Sequence, residues 1–275
     1  MTPPSRVTLV LSGGGAKASA DLGAARAMAE AGLVPTRYVG TSMGAVMGAL
    51  LAAGLTPAEA QARLESGGGS SIGRPALGSL LRGVFARSVL RGDQVLEFLD
   101  HLLPVRSFGE LKVPLTVTTV DLDSGALLLL GDGGLDLPLA TALAASCALP
   151  IYFPPVEING RRYGDGGLRA VLPLEVAAAW PADLVVAVDT GSGYDEAAAP
   201  GPRAPALLAA HDDATRILMA EQTRSALAIW RATPGRPRLV YVRPPVERGA
   251  TFRADQIRRY AEAGYVAARA ALALT

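Results

Sequence analysis

A single cysteine, Cys147, stands in this chain of 275 residues, which excludes an internal disulfide and any cysteine-based metal cluster. Its neighbours, Ala-Ser-Cys-Ala-Leu-Pro, are small and apolar, a setting that predicts a buried, unreactive thiol. Histidine is almost as scarce: only His101 and His211 could serve chemistry that needs an imidazole. Aromatic residues are 5% of a chain that is 50% hydrophobic, so alanine, leucine and valine must pack the core in thin layers. Lysine occurs only at Lys17 and Lys112, and arginine carries the positive charge, a bias that fits genome composition. A net charge of +1 offers no global field to nucleic acid or to an anionic membrane. No run approaches the ~20 apolar residues of a membrane span. The early run Val7 to Leu11 is too short for a secretory signal before glycines intervene. These absences predict a reduced, cytoplasmic protein with no nucleic-acid partner. Its length suits one large α/β domain over 1–275 better than two small ones, and neither repeats nor a linker divide it.

What is present centres on Arg37 to Gly54. An apolar approach through Tyr38 and Val39 reaches Gly40-Thr41-Ser42-Met43-Gly44, and an apolar helix-forming run follows without a break. This is a G-x-S-x-G pentapeptide between a strand and a helix, the context that lifts a serine hydroxyl into a cleft. Flanking glycines let two backbones pass closely, and the helix start offers N–H groups and a partial positive charge to an oxyanion.

Earlier in the chain, Val7 to Leu11 reads as a buried parallel strand, because it is apolar without alternation. Gly13-Gly14-Gly15 then opens a helix that closes at Gly32, a turn able to present N–H donors to an anion. The spacing is not that of a P-loop. It also misses G-x-G-x-x-G, since Ala18 stands where the last glycine would fall.

Further on, Thr56 and Pro57 predict an N-cap and the first position of a helix. Residues 66–83 are rich in glycine and serine, as in a surface loop or a cover over a cleft. Gly92 to Leu103 has amphipathic spacing and carries His101. Val113 to Asp121 and Ala126 to Leu130 predict a strand pair joined at Asp123-Ser124-Gly125. Leu139 to Ala148 predicts a small-residue helix, and Ile151 to Gly160 an irregular, apolar-lined segment. Asp165 then stands in Gly164-Asp165-Gly166-Gly167, where glycines leave a carboxylate uncrowded, although the same residues also suit an ordinary Asp-Gly turn. Asp183 to Asp189 and Leu239 to Arg243 predict strands. Gly191 to Asp213, with His211, predicts a loop, and Ala254 to Leu274 a terminal helix.

Taken together, Ser-Gly-Gly-Gly-Ala-Lys-Ala, Gly-Thr-Ser-Met-Gly-Ala, the stretch from Ala145 to Val156, Gly-Asp-Gly-Gly-Leu and the run from Phe252 resemble the patatin-like phospholipase family, in its compact bacterial form. The resemblance implies a three-layer α/β/α fold around a mostly parallel sheet. It implies a serine–aspartate dyad, with Ser42 as nucleophile and Asp165 as base. Gly13, Gly14, Gly15 and Ala16 look like the oxyanion hole, to which the Met43 N–H adds by analogy with other nucleophile elbows. Gly40, Gly44, Gly166 and Gly167 support the two motifs. The implied reaction is hydrolysis of a lipid or other acyl ester through an acyl-serine, with no metal or organic cofactor. A lipid substrate implies transient contact with a membrane surface, for which Leu77 to Phe85 and Ile151 to Phe153 are the apolar candidates. The chain departs from the family pattern at Ala18, at Asp21 near the place of a common histidine, and at Val171 near that of a common asparagine.

Three other readings compete. An α/β-hydrolase triad would pair Ser42 with His211, but the G-x-S-x-G follows only one strand, too early for that order. A regulator or scaffold without turnover is motivated by Ala18. Nucleotide binding by the glycine loop lacks a companion lysine–serine motif.

Overall fold

The computed structural model describes residues 4–66, 92–194, 206–247 and 253–274. Continuous apolar runs become strands because a strand covered on both faces has no polar side to show. The strands are β1 (Val7–Leu11), β2 (Arg37–Thr41), β3 (Leu115–Asp121), β4 (Leu127–Gly131), β5 (Val156–Ile158), β6 (Arg161–Asp165), β7 (Leu184–Val188) and β8 (Arg238–Val242). The helices are α1 (Ala20–Glu30), α2 (Met43–Ala52), α3 (Pro57–Ser66), α4 (Gly92–Leu102), α5 (Leu139–Ser146), α6 (Leu174–Ala177), α7 (Ala206–Ala232) and α8 (Ile257–Ala273). The eight strands form one sheet in the order β5-β6-β3-β2-β1-β7-β8, with β4 also on β3. The run β3-β2-β1-β7-β8 is parallel, and the pairs β3–β4, β3–β6 and β5–β6 are antiparallel.

Alternate residues of the central strands enter two separate cores. Leu9, Leu11, Val186 and Val188 face a core shared with Leu22, Met28, Val46, Leu50, Leu143 and Ala268 of α1, α2, α5 and α8. Val10, Val185 and Ala187 face a second core with Leu174 of α6 and Leu227 and Trp230 of α7. The result is the expected α/β/α layering around a mostly parallel sheet. The Thr56 cap also forms: its Oγ1 accepts the Glu59 N–H at 3.2 Å, and Glu59 Oε2 accepts the Thr56 N–H at 2.8 Å. That reciprocal pair is a capping box for α3.

One feature of the sheet decides where the chemistry can lie. Thr116 to Thr118 of β3 pair with β2 on one edge and β4 on the other. Thr119 and Val120 still pair with β4, yet now also with β6. A strand has two edges, so β6 takes over the edge that β2 leaves. β2 runs parallel to β3 and β6 antiparallel, so their C-terminal ends meet, Thr41 opposite Thr118 and Asp165 opposite Thr119.

Two expectations from the sequence are corrected. The segment Ile151 to Gly160 is not irregular throughout: β5 occupies Val156–Ile158 and forms a hairpin with β6. Asn159 (φ 53°) and Gly160 (φ 76°) make its two-residue turn, both left-handed as a type I′ hairpin requires. His211 lies not in a loop but in α7, which begins at Ala206. The helix was hidden because its buried residues, Ala220, Thr223, Leu227 and Trp230, all sit in the second half. The first half shows no apolar stripe to read. Residues 67–91, which hold nearly all of the expected loop or cover over 66–83 and the whole apolar run Leu77 to Phe85, lie outside the described residues.

Helices α1 and α8 cross at two glycines. A Cβ at Gly23 would overlap the Ala261 carbonyl, and one at Gly264 would overlap the Ala20 carbonyl. Backbone cannot yield as a flexible side chain does, so Gly264→Ala should cost about 3 kcal/mol of stability. Urea unfolding of the variant beside wild type checks this, and an unchanged midpoint would show that the helices can separate freely.

Candidate active site

Ser42 follows the last residue of β2 and precedes the first of α2, with φ 53° and ψ −132°. A left-handed φ at a serine is costly, of the order of 1–3 kcal/mol, and persists only where the surroundings hold it. Here glycines make the turn possible by space. A Cβ at Gly40 would come within 2.5 Å of Ala45 Cα, and one at Gly44 within 2.6 Å of the Leu11 carbonyl oxygen. The bend takes the Ser42 N–H off the sheet ladder, and Ser146 Oγ accepts it at 2.8 Å.

Asp165 ends β6 and caps the short turn of 3-10 helix Gly166–Leu168. Its Oδ1 accepts the Gly167 N–H at 2.7 Å, so the plain Asp-Gly turn is present as well. Its Oδ2 accepts the Ser42 hydroxyl at 2.8 Å. Asp165 is 4% exposed. Burial pushes its pKa up to about 6, against the downward pull of the Gly167 N–H and the Ser42 hydroxyl. No ion pair to Asp165 occurs among the described residues.

Beneath the pair, Thr41 Oγ1 donates to the Ala170 carbonyl at 2.8 Å and lies 2.7 Å from Thr118 Oγ1. Thr41 has one proton to give, so Thr118 must be the donor to Thr41. Both hydroxyls are wholly buried and both are satisfied. Gly166 packs on the same spot, where a Cβ would lie 2.5 Å from the Thr118 carbonyl oxygen.

The glycine loop leaves β1 beside Ser42, close enough that a Cβ at Gly13 would lie 3.3 Å from Ser42 Cβ. It is tied down on its far side. Ser12 donates its N–H to the Val188 carbonyl at 3.1 Å, and its Oγ accepts the Thr190 N–H at 2.7 Å. Asp189, buried at the end of β7, accepts from Tyr241, Arg243 and the Gly191 N–H. Lys17 Nζ donates to the Gly191 carbonyl. The Gly13 N–H donates to the Val171 carbonyl at 3.1 Å, so this amide is engaged in the structure. Gly15, at φ 60°, starts a 3-10 helix over Gly15–Ser19, whose first N–H groups have no partner within the helix. Ala18 fits that helix: its φ is not positive, and its methyl is buried in the first core.

Other residues singled out in the sequence lie elsewhere. His101 lies on the exposed face of α4 with Nδ1 2.7 Å from the Glu97 carbonyl. His211 Nε2 is 3.4 Å from Thr215 Oγ1 within α7. Cys147 is half-buried beside the pair: its desolvated thiol has a pKa raised by burial and by the Asp165 charge, with the Ser42 hydroxyl acting in the opposite sense.

The profile of the family described as patatin-like phospholipase matches residues 9–178, a span that includes the glycine loop, Ser42 and Asp165. The chain belongs to this family. Patatin-like relatives include an uncharacterized NTE family protein of Mycobacterium bovis, 33% identical over 183 residues, covering 66% of this chain and 48% of that one. Patatin-like phospholipase domain-containing protein 7 of Mus musculus is 31% identical over 196 residues, covering 70% of this chain and 14% of that one. The chain thus spans about half the length of the mycobacterial relative and much less of the mouse one. VipD from Legionella pneumophila shares the fold, with a TM-score of 0.53 at 15% identity, over 99% of this chain and 67% of its own.

Ser146 and the Thr41–Thr118 pair escaped the sequence reading, and small hydroxyl residues within apolar runs carry no signal that distinguishes them. The hairpin bearing Asp165 did have one, the Asn159-Gly160 dipeptide.

Asp21, in the first turn of α1, is fully buried, and neither carboxyl oxygen has a hydrogen-bond partner among the described residues. Burial, and secondarily the charge of Asp189, raise its pKa well above the ordinary value. Above about pH 4 the unfolded chain releases this proton while the folded chain keeps it. Stability is therefore lost as pH rises. Asp21→Asn should melt higher than wild type at pH 7–8, with the gap closing as pH falls towards 4. Equal melting temperatures at pH 8 would show that Asp21 finds a partner in solution.

Proposed function

We propose that this protein is a serine acyl-ester hydrolase acting on lipid or phospholipid through a Ser42–Asp165 dyad. The observation that carries the reading is the 2.8 Å hydrogen bond from Ser42 Oγ to Asp165 Oδ2. A serine hydroxyl is a weak nucleophile until a base takes its proton, and a base is most useful with a pKa near the working pH. Asp165, pushed up to about 6 by burial, meets that need without a histidine.

In the proposed reaction, Ser42 Oγ attacks the ester carbonyl carbon as its proton passes to Asp165. The carbonyl oxygen becomes an oxyanion, stabilised by N–H groups from Gly14, Gly15 and Ala16 and by the Met43 N–H at the start of α2. Collapse breaks the ester C–O bond, and Asp165 returns the proton to the leaving alcohol. Water then attacks the acyl-serine, with Asp165 again as base, and releases the carboxylic acid and free Ser42. The Ser42 proton thus leaves with the alcohol, and the attacking water supplies, through Asp165, the proton that restores the Ser42 hydroxyl. The lipid assignment rests on the family's description and on the printed name of the mouse relative. A lipid substrate also implies contact with a membrane surface, for which Ile151, 36% exposed at φ 72°, is the available member of the Ile151–Phe153 run. Among the described residues, no helix is long and apolar enough to cross a membrane.

A fluorophosphonate probe should label wild type at Ser42 and leave Ser42→Ala unlabelled. Asp165→Asn should lose at least about a hundredfold in kcat on nitrophenyl esters, the usual worth of a general base. Wild type that neither labels nor hydrolyses any ester would sink the proposal and favour a scaffold without turnover.

The acid limb follows from the same carboxyl. Asp165 must be ionised to accept the proton, so kcat/KM should reach its plateau above about pH 7, be half-maximal near an apparent pKa of about 6, and fall at lower pH. A profile flat down to pH 4.5 would assign the base elsewhere.

A further inference from the structure

One short stretch touches both members of the dyad. Helix α5 ends at Ser146, and the chain turns through Cys147 and Ala148. Ser146 Oγ accepts the Ser42 N–H at 2.8 Å, and the Ala148 carbonyl accepts the Asp165 N–H at 3.0 Å. Cys147, between them, interacts with Ser42 and Asp165 alike. Ser146 is wholly buried and cannot reach a substrate. We propose that the end of α5 is a clamp setting the separation of the dyad, and that Ser146 is its positioning residue, holding the Ser42 amide so that Oγ stays within reach of Asp165. This rests on the proposed function above.

The physical case begins with the elbow. At φ 53° the Ser42 N–H leaves the ladder, and a buried amide without an acceptor is unfavourable. Removing the Ser146 hydroxyl therefore favours any rotation of the Ser42 peptide that reaches another acceptor. Such a rotation swings Oγ away from Asp165, with no change in the surface that binds substrate.

The test compares Ser146→Ala, Ser146→Cys and Ser146→Thr with wild type and Ser42→Ala. Fluorophosphonate labelling, nitrophenyl-ester kinetics and melting temperature are measured for each. Ser146→Ala should lower both kcat and the labelling rate about tenfold or more, leaving KM within about twofold. Ser146→Cys, with its weakly accepting sulfur, should behave alike, and Ser146→Thr, which keeps the hydroxyl, should recover rate. Because the Ser42 hydroxyl helps hold the Asp165 pKa down, the acid limb of kcat/KM in Ser146→Ala should also move to higher pH. A purely structural serine would lower the melting temperature without shifting that limb. If wild type is labelled at Ser42 and Ser146→Ala is labelled and turns over at the same rate, the clamp is overturned while the proposed function stands. If wild type itself is not labelled at Ser42, both are overturned together.

Discussion

Two strands share one edge of β3, and the candidate site is the place where they run into each other. β2 brings Thr41 to Thr118 and stops; β6 arrives from the other direction and brings Asp165 to Thr119. Side chains at the two ends are neighbours because the sheet leaves them nowhere else to be. The crowding explains the residue types around them. Gly40, Gly44 and Gly166 each stand where a Cβ would meet backbone, and the buried Thr41–Thr118 hydroxyl pair joins the two sides under the junction. The strain at Ser42, about 1–3 kcal/mol, is comparable with what one or two buried, satisfied hydrogen bonds can offset. The Ser42 N–H to Ser146 and the Thr41 hydroxyl to Ala170 are two such bonds on the elbow itself.

Buried aspartates in this fold differ by their company. Asp189 has an arginine, a tyrosine hydroxyl and a backbone N–H around its oxygens. Asp121 has Arg161 and two backbone N–H groups, and its pKa is lowered, the Asp123 N–H being the largest cause. Asp21 has none of these among the described residues and is held well up. Asp165 stands between: one backbone N–H and one hydroxyl, without a cation among the described residues. An arginine in place of those donors would keep the carboxylate ionised at any working pH and make it a feeble base. Complete isolation would keep it protonated and make it no base at all. Two neutral donors in a dry setting leave it at about 6.

The parts of this arrangement legible in the sequence were those with a one-dimensional signature. β1 and β7 are unbroken apolar runs, and the elbow and the glycine loop are punctuated by residues that few other contexts need. The end of β6 showed itself as Gly-Asp-Gly-Gly, but its strand did not, because Arg161 and Arg162 point to solvent and interrupt the apolar pattern. Helix α7 failed to show for a related reason: none of its buried residues precedes Ala220. Ser146 is invisible for a different one. Its role is a single hydrogen bond across more than a hundred residues, and no local pattern encodes a contact at that separation.

The glycine loop shows why a motif can lose a glycine and keep its form. Gly14 has no left-handed φ, but Thr190 leaves no room for a Cβ. Gly15 has the left-handed φ that a side chain resists. Ala18 meets neither constraint, since it lies in a helical turn with its methyl in the core. The loss of its glycine therefore removes no donor and opens no strain. Gly13 matters in another way. Its N–H binds the Val171 carbonyl, which anchors the loop at its root. Under the proposed reaction, that leaves Gly14, Gly15 and Ala16 to meet the oxyanion from a backbone already fixed on both sides. Preorganised donors are worth more than mobile ones, because no reorientation is needed as charge develops. One amide spent on holding the loop thus raises the value of the three that follow.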